Sequence, residues 1–214
     1  MTADANPTLA AQGRDALRPR GRKAQLESSK LRPGWTTGAC ACAAATSAFI
    51  ALHTGEFPDP VEIVLPGGRE VAFALTQWRL QPGQAMAAIT KDAGDDPDVT
   101  HGAIVRVVVE PGEPGGGVSF AGGEGIGTVT LPGLPLPVGE PAINPKPREY
   151  ITANITAAAE RIGVAPDVRV TVSIDDGARI AEKTWNSRIG VLGGLSVLGT
   201  TGVVVPYSCS AWIA

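Results

Sequence analysis

The sequence predicts an α+β fold: a mixed sheet with hairpins packed against a few helices, with no Rossmann arrangement in its glycine-rich regions. Three observations predict it. Segments with alternating apolar residues recur between glycine and proline turns, as strands of hairpins do. Helix-like segments are interspersed singly instead of alternating regularly with the strands. Gly 27 plus Pro 18 gives 45 of 214 residues, about 21% against roughly 12% in average proteins, so the chain turns often.

The composition limits the core and the classes of function. Hydrophobic residues make up 43% and aromatic residues 5%, so Ala, Val, Ile and Leu must build the core. The net charge of −3 is unevenly divided: residues 1–34 hold seven Lys/Arg against three Asp/Glu, which leaves 11 against 18 in the other 180 residues. This acidic body argues against a nucleic-acid partner, because phosphate binding needs a clustered cationic surface.

The two ends of the sequence differ from the middle. Residues 1–30 lack an apolar period and are predicted to form a flexible, basic N-terminal extension, whereas residues 31–214 are predicted to form the folded domain. Ser208 and Ser210 resemble caps of a helix that begins near Ala211, yet the sequence stops at Ala214, before one turn is complete. We therefore expect the domain to be truncated at its C-terminus.

An Ala-rich helix and a hairpin are predicted to open the domain. The helix runs from Gly38 to about Leu52, with Thr36 or Thr37 as N-cap and Gly55 as the stop, and its small side chains suit close packing on the sheet. Four strands are expected to follow, of which the first two flank the turn Pro66-Gly67-Gly68-Arg69: residues 61–65, 70–75, 85–90 and 103–109.

The second half mixes short strands with two helices. Strands at 118–121 and 128–131 bracket a glycine cluster, and a proline-rich loop follows. The next helix begins at Lys146-Pro147, since proline suits a first turn, and carries an apolar face before Gly163 ends it. A strand at 168–174, a turn and a short helix at 178–184 lead to a glycine-rich, apolar segment at 190–205.

Neither a membrane span nor a secretory signal is predicted. No apolar run approaches the roughly 20 residues of a membrane span. The cytoplasm is therefore the expected location, with no membrane partner. Cys40 and Cys42 are too close for an ordinary disulfide, and with Cys209 they are expected to be reduced thiols.

An acidic segment at 91–102 contains four carboxylates and one imidazole, those of Asp92, Asp95, Asp96, Asp98 and His101. Three interpretations are open. The oxygens suit a hard cation, although their spacing does not match an EF-hand. Alternatively, the Asp side chains accept backbone N–H bonds in a turn, or one of them serves in a ligand site.

Two glycine-rich segments resemble nucleotide-binding loops only superficially. Residues 122–127 precede a strand-like segment and a proline, so we expect them to lie between two strands and not at the N-terminus of a helix. Residues 193–202 lack the lysine of a phosphate-binding P-loop. Their Thr200-Thr201-Gly202 echoes Thr36-Thr37-Gly38, and both are either donor-rich turns that can hold a carboxylate or self-satisfied buried turns.

Five segments in the same order resemble the cobalt-precorrin-5B (C1)-methyltransferase family, the CbiD type, over about residues 30–214. No single segment is decisive, but the five together are highly specific. They are Leu31-Arg32-Pro33-Gly34-Trp35-Thr36-Thr37-Gly38, residues 91–102, Gly122-Gly123-Glu124-Gly125, Gly139-Glu140-Pro141-Ala142-Ile143-Asn144-Pro145 and residues 193–202.

The resemblance implies methyl transfer from S-adenosylmethionine to carbon 1 of cobalt-precorrin-5B in cobalamin biosynthesis, giving cobalt-precorrin-6A. S-adenosylmethionine is the expected methyl donor. No protein-bound metal is expected, because the cobalt belongs to the tetrapyrrole substrate. The family's catalytic residues are not firmly assigned, so the resemblance transfers motifs and not roles, and the oligomeric state stays open.

The candidate site residues follow from the needs of this chemistry. A carboxylate suits the sulfonium cation, whereas arginines and backbone N–H groups suit the substrate's carboxylates. The catalytic candidates are Asp95, Asp96 and His101. The candidates for binding substrate or cofactor are Thr36, Thr37, Gly38, Asp92, Gly123, Glu124, Gly125, Asn144, Arg148, Arg188, Gly199, Thr200, Thr201 and Gly202.

Two other classes of function are compatible with the same residues. One is a non-catalytic module that binds a tetrapyrrole or another anion, which measured turnover would exclude. The other is a metal-dependent hydrolase built on residues 92–101, which requires Mg²⁺ or Ca²⁺ and is indifferent to S-adenosylmethionine.

Overall fold

The structure is a computed structural model and describes residues 31–207. The expectations for residues 1–30 and for a helix near Ala211 lie outside the described residues. In chain order the elements are β1 (Gly34–Trp35), α1 (Thr37–Thr54), β2 (Val61–Leu65), β3 (Arg69–Phe73), β4 (Gln77–Gln81), β5 (Gln84–Thr90), β6 (Ile104–Pro111), β7 (Val118–Gly122), β8 (Thr128–Val129), α2 (Pro145–Ile162), β9 (Val168–Ile174), α3 (Gly177–Ala181), a 3₁₀ helix (Asn186–Ile189), β10 (Val191–Leu192) and β11 (Val203–Val204).

A five-stranded mixed sheet, in the order β4-β5-β6-β9-β7, forms the centre of the fold. Its strands pair antiparallel except β7 and β9, which are parallel. The valines of β6 and β9 alternate, so that every second side chain, such as Val107 and its partner Val172, is fully buried on one face. This pattern fixes the register and confirms the predicted α+β class.

The Ala-rich helix α1 is the core of the molecule. It packs against β5 and β6 on one side and against α2 and β2 on others, which confirms its predicted position on the sheet. Nearly every residue from Thr37 to Phe49 is buried, which alanine permits because its small side chain lets neighbouring backbones approach. By length and hydropathy α1 could span a membrane, but 78% of it is buried inside this fold, as in the core helix of a soluble protein.

The second long helix, α2, is amphipathic and covers α1. Ile151 and Ile155 are fully buried. Asn154 links α2 to β2, because its side-chain amide donates to the Val64 carbonyl and accepts from the Val64 N–H, each at 2.8 Å. This pair satisfies backbone groups at the edge of the β2–β3 hairpin and fixes the hairpin on the helix.

Several elements were not predicted from the sequence. The edge strand β4 was not predicted, although Trp78 and Leu80 alternate with polar residues, and all five of its residues are exposed. The strands β1, β8, β10 and β11 have two residues each, too few to show a period, and the predicted strand at 128–131 is reduced to β8. The predicted helix at 178–184 is shortened to α3, and the chain continues through the 3₁₀ helix.

Candidate functional site

One end of the sheet gathers the predicted motifs. Here β5 ends at Thr90 opposite the first residue of β6, and β9 ends at Ile174 beside Val105. The helix α1 also begins here, since the Trp35 N–H just before it donates to the Asp92 carbonyl. The segment 193–202 joins it to the start of α2: the Gly38 N–H donates to the Leu198 carbonyl (2.9 Å) and the Asn144 N–H to that of Val197 (3.1 Å). We call this end of the fold the loop end.

The start of α1 meets the segment that carries the second Thr-Thr-Gly. Thr36 is the N-cap, and its hydroxyl accepts from the Ala39 N–H at 3.2 Å. Its own N–H donates to the Gly202 carbonyl at 3.0 Å. A side chain at Gly38 would collide with the hydroxyl of Tyr150, since a Cβ atom there would lie 2.0 Å from it. The two similar motifs therefore contact each other at the loop end.

Two backbone donors of the first Thr-Thr-Gly motif, the N–H groups of Thr36 and Gly38, are already used within the chain. Thr37 is buried, and the hydroxyl of Thr201 bonds to its own neighbour Val203. The Gly199 carbonyl accepts from the Tyr150 hydroxyl at 3.3 Å. Burial raises the pKa of Tyr150 well above its usual value, so this phenol stays a hydrogen-bond donor at neutral pH. Thr200 and Thr201 are both exposed to solvent.

Asp92 and Asp95 of the acidic segment bind Arg32, near the first described residue. The Asp92 carboxylate pairs with both terminal nitrogens of Arg32 and accepts from the Gly94 N–H at 2.9 Å. The hydrogen bond from Arg32, followed by that from Gly94, lowers the pKa of Asp92 to about 2. One oxygen of Asp95 accepts from the Arg32 backbone N–H at 2.6 Å.

Asp96 and His101 also accept backbone N–H bonds. One oxygen of Asp96 accepts from the Tyr207 N–H at 2.9 Å, which ties the last described residues to the acidic segment. The Nδ1 atom of the exposed His101 accepts from the Ala93 N–H at 3.1 Å. These contacts favour the turn interpretation for this segment, but the second oxygens of Asp95 and Asp96 have no hydrogen bond within residues 31–207.

A buried ion pair anchors the acidic segment to the sheet. Lys91 is only 1% exposed, and its ammonium group donates to the carboxylate of Asp98. Burial by itself raises the pKa of Asp98, but the charge of Lys91 and hydrogen bonds from Lys91 and Thr100 outweigh it and lower that pKa. No periodic pattern in the sequence marks this pair. A lysine in an acidic segment is typical of a solvated turn, so the burial of Lys91 is not expected from the sequence.

The glycine run and the proline loop form a second cluster beside the first. Gly123–Gly127 lies between β7 and β8, as predicted, and no helix follows. The Gly123 N–H donates to the Val172 carbonyl at 2.7 Å, and the Gly125 carbonyl accepts from the Leu195 N–H at 2.8 Å. A Cβ atom at Gly125 would lie 2.0 Å from the Ile174 carbonyl oxygen, and its φ is +75°. Glycine is therefore required there by backbone packing.

The remaining predicted residues of this cluster differ in how far they are engaged. Glu124 is exposed, and Asn144 precedes α2 without a side-chain cap bond. Arg148 is occupied: it donates to the Ile143 carbonyl at 2.8 Å and to Glu140 at 3.0 Å, and so holds the proline loop. Arg188 is exposed and stacks over the Trp185 ring.

Two clefts lie within residues 31–207. One of about 430 Å³ lies between the end of α1 and the β4–β5 turn, at the opposite end of the sheet from the loop end. The other, about 230 Å³, is lined by residues 182–185 and by Arg188. Within the same residues, no group of three His, Cys, Asp or Glu side chains is placed to hold a metal ion.

Comparison with known proteins gives a consistent set of relatives. A family model described as CbiD matches residues 24–206. Cobalt-precorrin-5B C(1)-methyltransferases of Brucella anthropi and Paramagnetospirillum magneticum are each 57% identical over 187 residues, which is 87% of this chain and 51% and 52% of theirs. The chain therefore spans about half the length of the curated relatives it matches.

A solved structure is similar as well. The crystal structure of the cobalamin biosynthesis protein CbiD from Archaeoglobus fulgidus has a TM-score of 0.65 and 33% sequence identity. The match covers 85% of this chain and 56% of that one.

The buried ion pair predicts a contrast between two aspartates of the same segment. The Asp98→Asn variant leaves the Lys91 charge buried without a carboxylate, and we expect it to lower the free energy of unfolding by roughly 3 kcal/mol. Asp95→Asn removes charge from an exposed group with one backbone bond, and we expect a loss of about 1 kcal/mol or less. Urea unfolding measures both, and equal losses would contradict the role given to Lys91 and Asp98.

The lowered pKa of Asp92 predicts a change of stability in acid. Because the folded pKa of about 2 lies below the roughly 3.9 of an unfolded Asp, ionised Asp92 stabilises the fold above about pH 4, and this contribution is lost as the pH falls toward 2. Asp92→Asn should therefore show a smaller decrease in melting temperature between pH 4 and pH 2 than the parent. Equal decreases in melting temperature for the two proteins would contradict the Arg32–Asp92 contact, whose effect is small because both groups are exposed to solvent.

Proposed function

The chain belongs to the CbiD family, and we propose that it forms part of an enzyme that transfers methyl from S-adenosylmethionine to carbon 1 of cobalt-precorrin-5B. The product is cobalt-precorrin-6A. Relatives named as cobalt-precorrin-5B C(1)-methyltransferases, at 57% identity, support the proposal. The whole activity belongs to a protein of about twice this length.

The observation that carries the proposal is the meeting of all five motif segments at the loop end. Residues 31–38 contact both residues 91–102 and residues 193–202 around the start of α1. The glycine run and the loop before α2 contact the same 193–202 segment from the other side. Because the segments are far apart in sequence, a shared ligand surface is a simple reason for their common location.

The chemistry depends on alignment more than on a strong nucleophilic side chain. S-adenosylmethionine supplies a methyl group on a sulfonium, and carbon 1 of the macrocycle must lie in line with the bond that breaks. The part played by this chain is to bind and orient. Because the chain spans about half the length of its curated relatives, we expect the rest of the full-length protein to contribute to the methyl-donor site.

The candidate residues divide by what their side chains already contact. We assign binding roles to the exposed Glu124 and Thr200 and to Arg188. Asp95 and Asp96 each present one carboxylate oxygen that no described group uses, and such an oxygen suits the sulfonium cation. The remaining candidates position these groups: Thr36, Thr37, Gly38, Asp92, His101, Gly123, Gly125, Asn144, Arg148, Gly199, Thr201 and Gly202.

The metal-dependent hydrolase is the less favoured alternative. Asp92 and Asp95 both accept from Arg32, Asp96 accepts from Tyr207 and Asp98 from Lys91, so each of these carboxylates already helps to hold the chain. Under the favoured proposal we expect the cobalt-tetrapyrrole substrate as the partner and the cytoplasm as the location.

Activity measurements on the full-length protein test the proposal through Asp95 and Asp96. An Asp→Asn change keeps the backbone hydrogen bond and removes the charge, so either variant should lower kcat by about tenfold or more with little change in melting temperature. The matched control is Asp167→Asn. Asp167 also accepts backbone N–H bonds, from Gly115 and Gly117, but beside the first residues of β7 and β9, at the other end of the sheet.

Three outcomes would contradict the account. No methyl transfer to cobalt-precorrin-5B by the full-length protein would refute the activity itself. Full activity of both Asn variants would refute a ligand role for the acidic segment. Loss of activity on treatment with EDTA would favour the metal-dependent alternative.

A further inference from the structure

An exposed tryptophan lies in the short connection between α3 and the 3₁₀ helix. Trp185 is 60% exposed, the highest value among the large hydrophobic residues of the described chain. The guanidinium carbon of Arg188 lies 4.6 Å from the centre of its ring. A cation at this distance is attracted by the face of the indole.

The backbone under this pair is firmly anchored. Asn186 is buried, and its side-chain amide donates to the Gly194 carbonyl at 3.1 Å, while its N–H donates to the Thr184 hydroxyl at 3.2 Å. The Arg188 N–H in turn donates to the Trp185 carbonyl at 2.9 Å. The ring is thus exposed on a fixed support, attached through Gly194 to the segment 193–202 of the loop end.

A second arginine–tryptophan stack, between Arg69 and Trp35, packs against the core. Arg69 lies 5.6 Å from the ring of Trp35, but that ring is partly buried and packs on Phe73 with the ring centres 5.2 Å apart. Trp185 has no aromatic neighbour within residues 31–207 and leaves most of its surface in water. Its exposure is not explained by packing.

The charges around Trp185 favour an anion. Lys183 and Arg188 have no carboxylate partner within 4.0 Å in the described part of the chain, whereas Arg148 and Arg179 do. Both line the cleft of about 230 Å³ together with Glu182, which leaves one net positive charge on the lining. A guanidinium that stacks by its face keeps its N–H donors at the edge, where a carboxylate can bind two of them.

We propose that Trp185, Arg188 and Lys183 bind a flat conjugated ring with peripheral carboxylates, the ring lying against the indole and a carboxylate on the two cations. The inference rests on the proposed function and deepens it, because it adds Trp185 and Lys183 to Arg188 and states which parts of the substrate they bind. The three residues are called the Trp185 platform.

Binding of a cobalt corrinoid to the 214-residue chain tests the Trp185 platform without turnover. The probe is cob(II)yrinic acid under anaerobic conditions, whose cobalt(II) carries at most one axial ligand and so leaves one ring face open to the indole, and whose side chains are free carboxylates. Its heptamethyl ester has the same ring without the charges. Equilibrium dialysis at low and high salt gives the dissociation constants.

We expect the acid to bind more tightly than the ester and to weaken as salt rises, because the carboxylate contacts are exposed to screening. Trp185→Leu and Arg188→Gln should each weaken binding of the acid by about tenfold, roughly the value of one charged or stacking contact. Arg188→Gln should leave binding of the ester unchanged. The matched control, Arg69→Gln, removes an arginine from the other stack and should bind like the parent.

The platform is refuted if the parent binds neither probe, if acid and ester bind equally, or if Arg69→Gln weakens binding as much as Arg188→Gln. Urea unfolding of each variant confirms that the fold is kept. Lys183→Gln provides a second test of the charge, because it should weaken binding of the acid by less than Arg188→Gln does. Methyl transfer by the full-length protein is measured separately. Loss of that activity with intact platform binding would refute the proposed function alone.

Discussion

Backbone hydrogen bonds of the segment 193–202 hold the loop end together. Leu195 bonds through its N–H and carbonyl to the glycine run, and the Val197 and Leu198 carbonyls accept from the first residues of α2 and α1. The Gly199 carbonyl accepts from Tyr150. The glycine-rich segment 193–202 therefore fixes the relative positions of the N-termini of α1 and α2 and of the loop after β7. The glycine run, the start of α1 and the loop before α2 bond directly to this segment. The acidic segment is joined to it through residues 31–38, and the 3₁₀ helix through Asn186.

The central helix makes this arrangement possible. Because α1 is built from alanine and other small residues, the sheet and α2 approach it closely, and the small residues continue into the Thr36-Thr37-Gly38 turn where the loop segment packs. Burial raises the pKa of the Cys40 thiol to about 12 and raises that of Cys42, so both remain protonated core residues. The body of the helix thus serves packing, and the proposed ligand-binding residues lie at its N-terminal end.

Much of the fold and part of the candidate site could be predicted from the sequence. Alternating valines in β6 and β9 specify buried strands, and a strand after residues 122–127 excludes a Rossmann loop. The buried pair of Lys91 and Asp98 was not predicted, since burial of a charge depends on neighbours distant in sequence. Trp185 was missed for the same reason: one tryptophan in a turn has no period, and its exposure appears only in three dimensions.

Amide hydrogen exchange of the 214-residue chain tests most directly whether the segment 193–202 organises the loop end. If it does, the N–H groups of Gly38, Asn144 and Leu195 exchange as slowly as that of Val107 in the central strand β6, because all of them open only with the core. Exchange of these three amides orders of magnitude faster than that of Val107 would contradict the account, because the loop end would then open independently of the sheet.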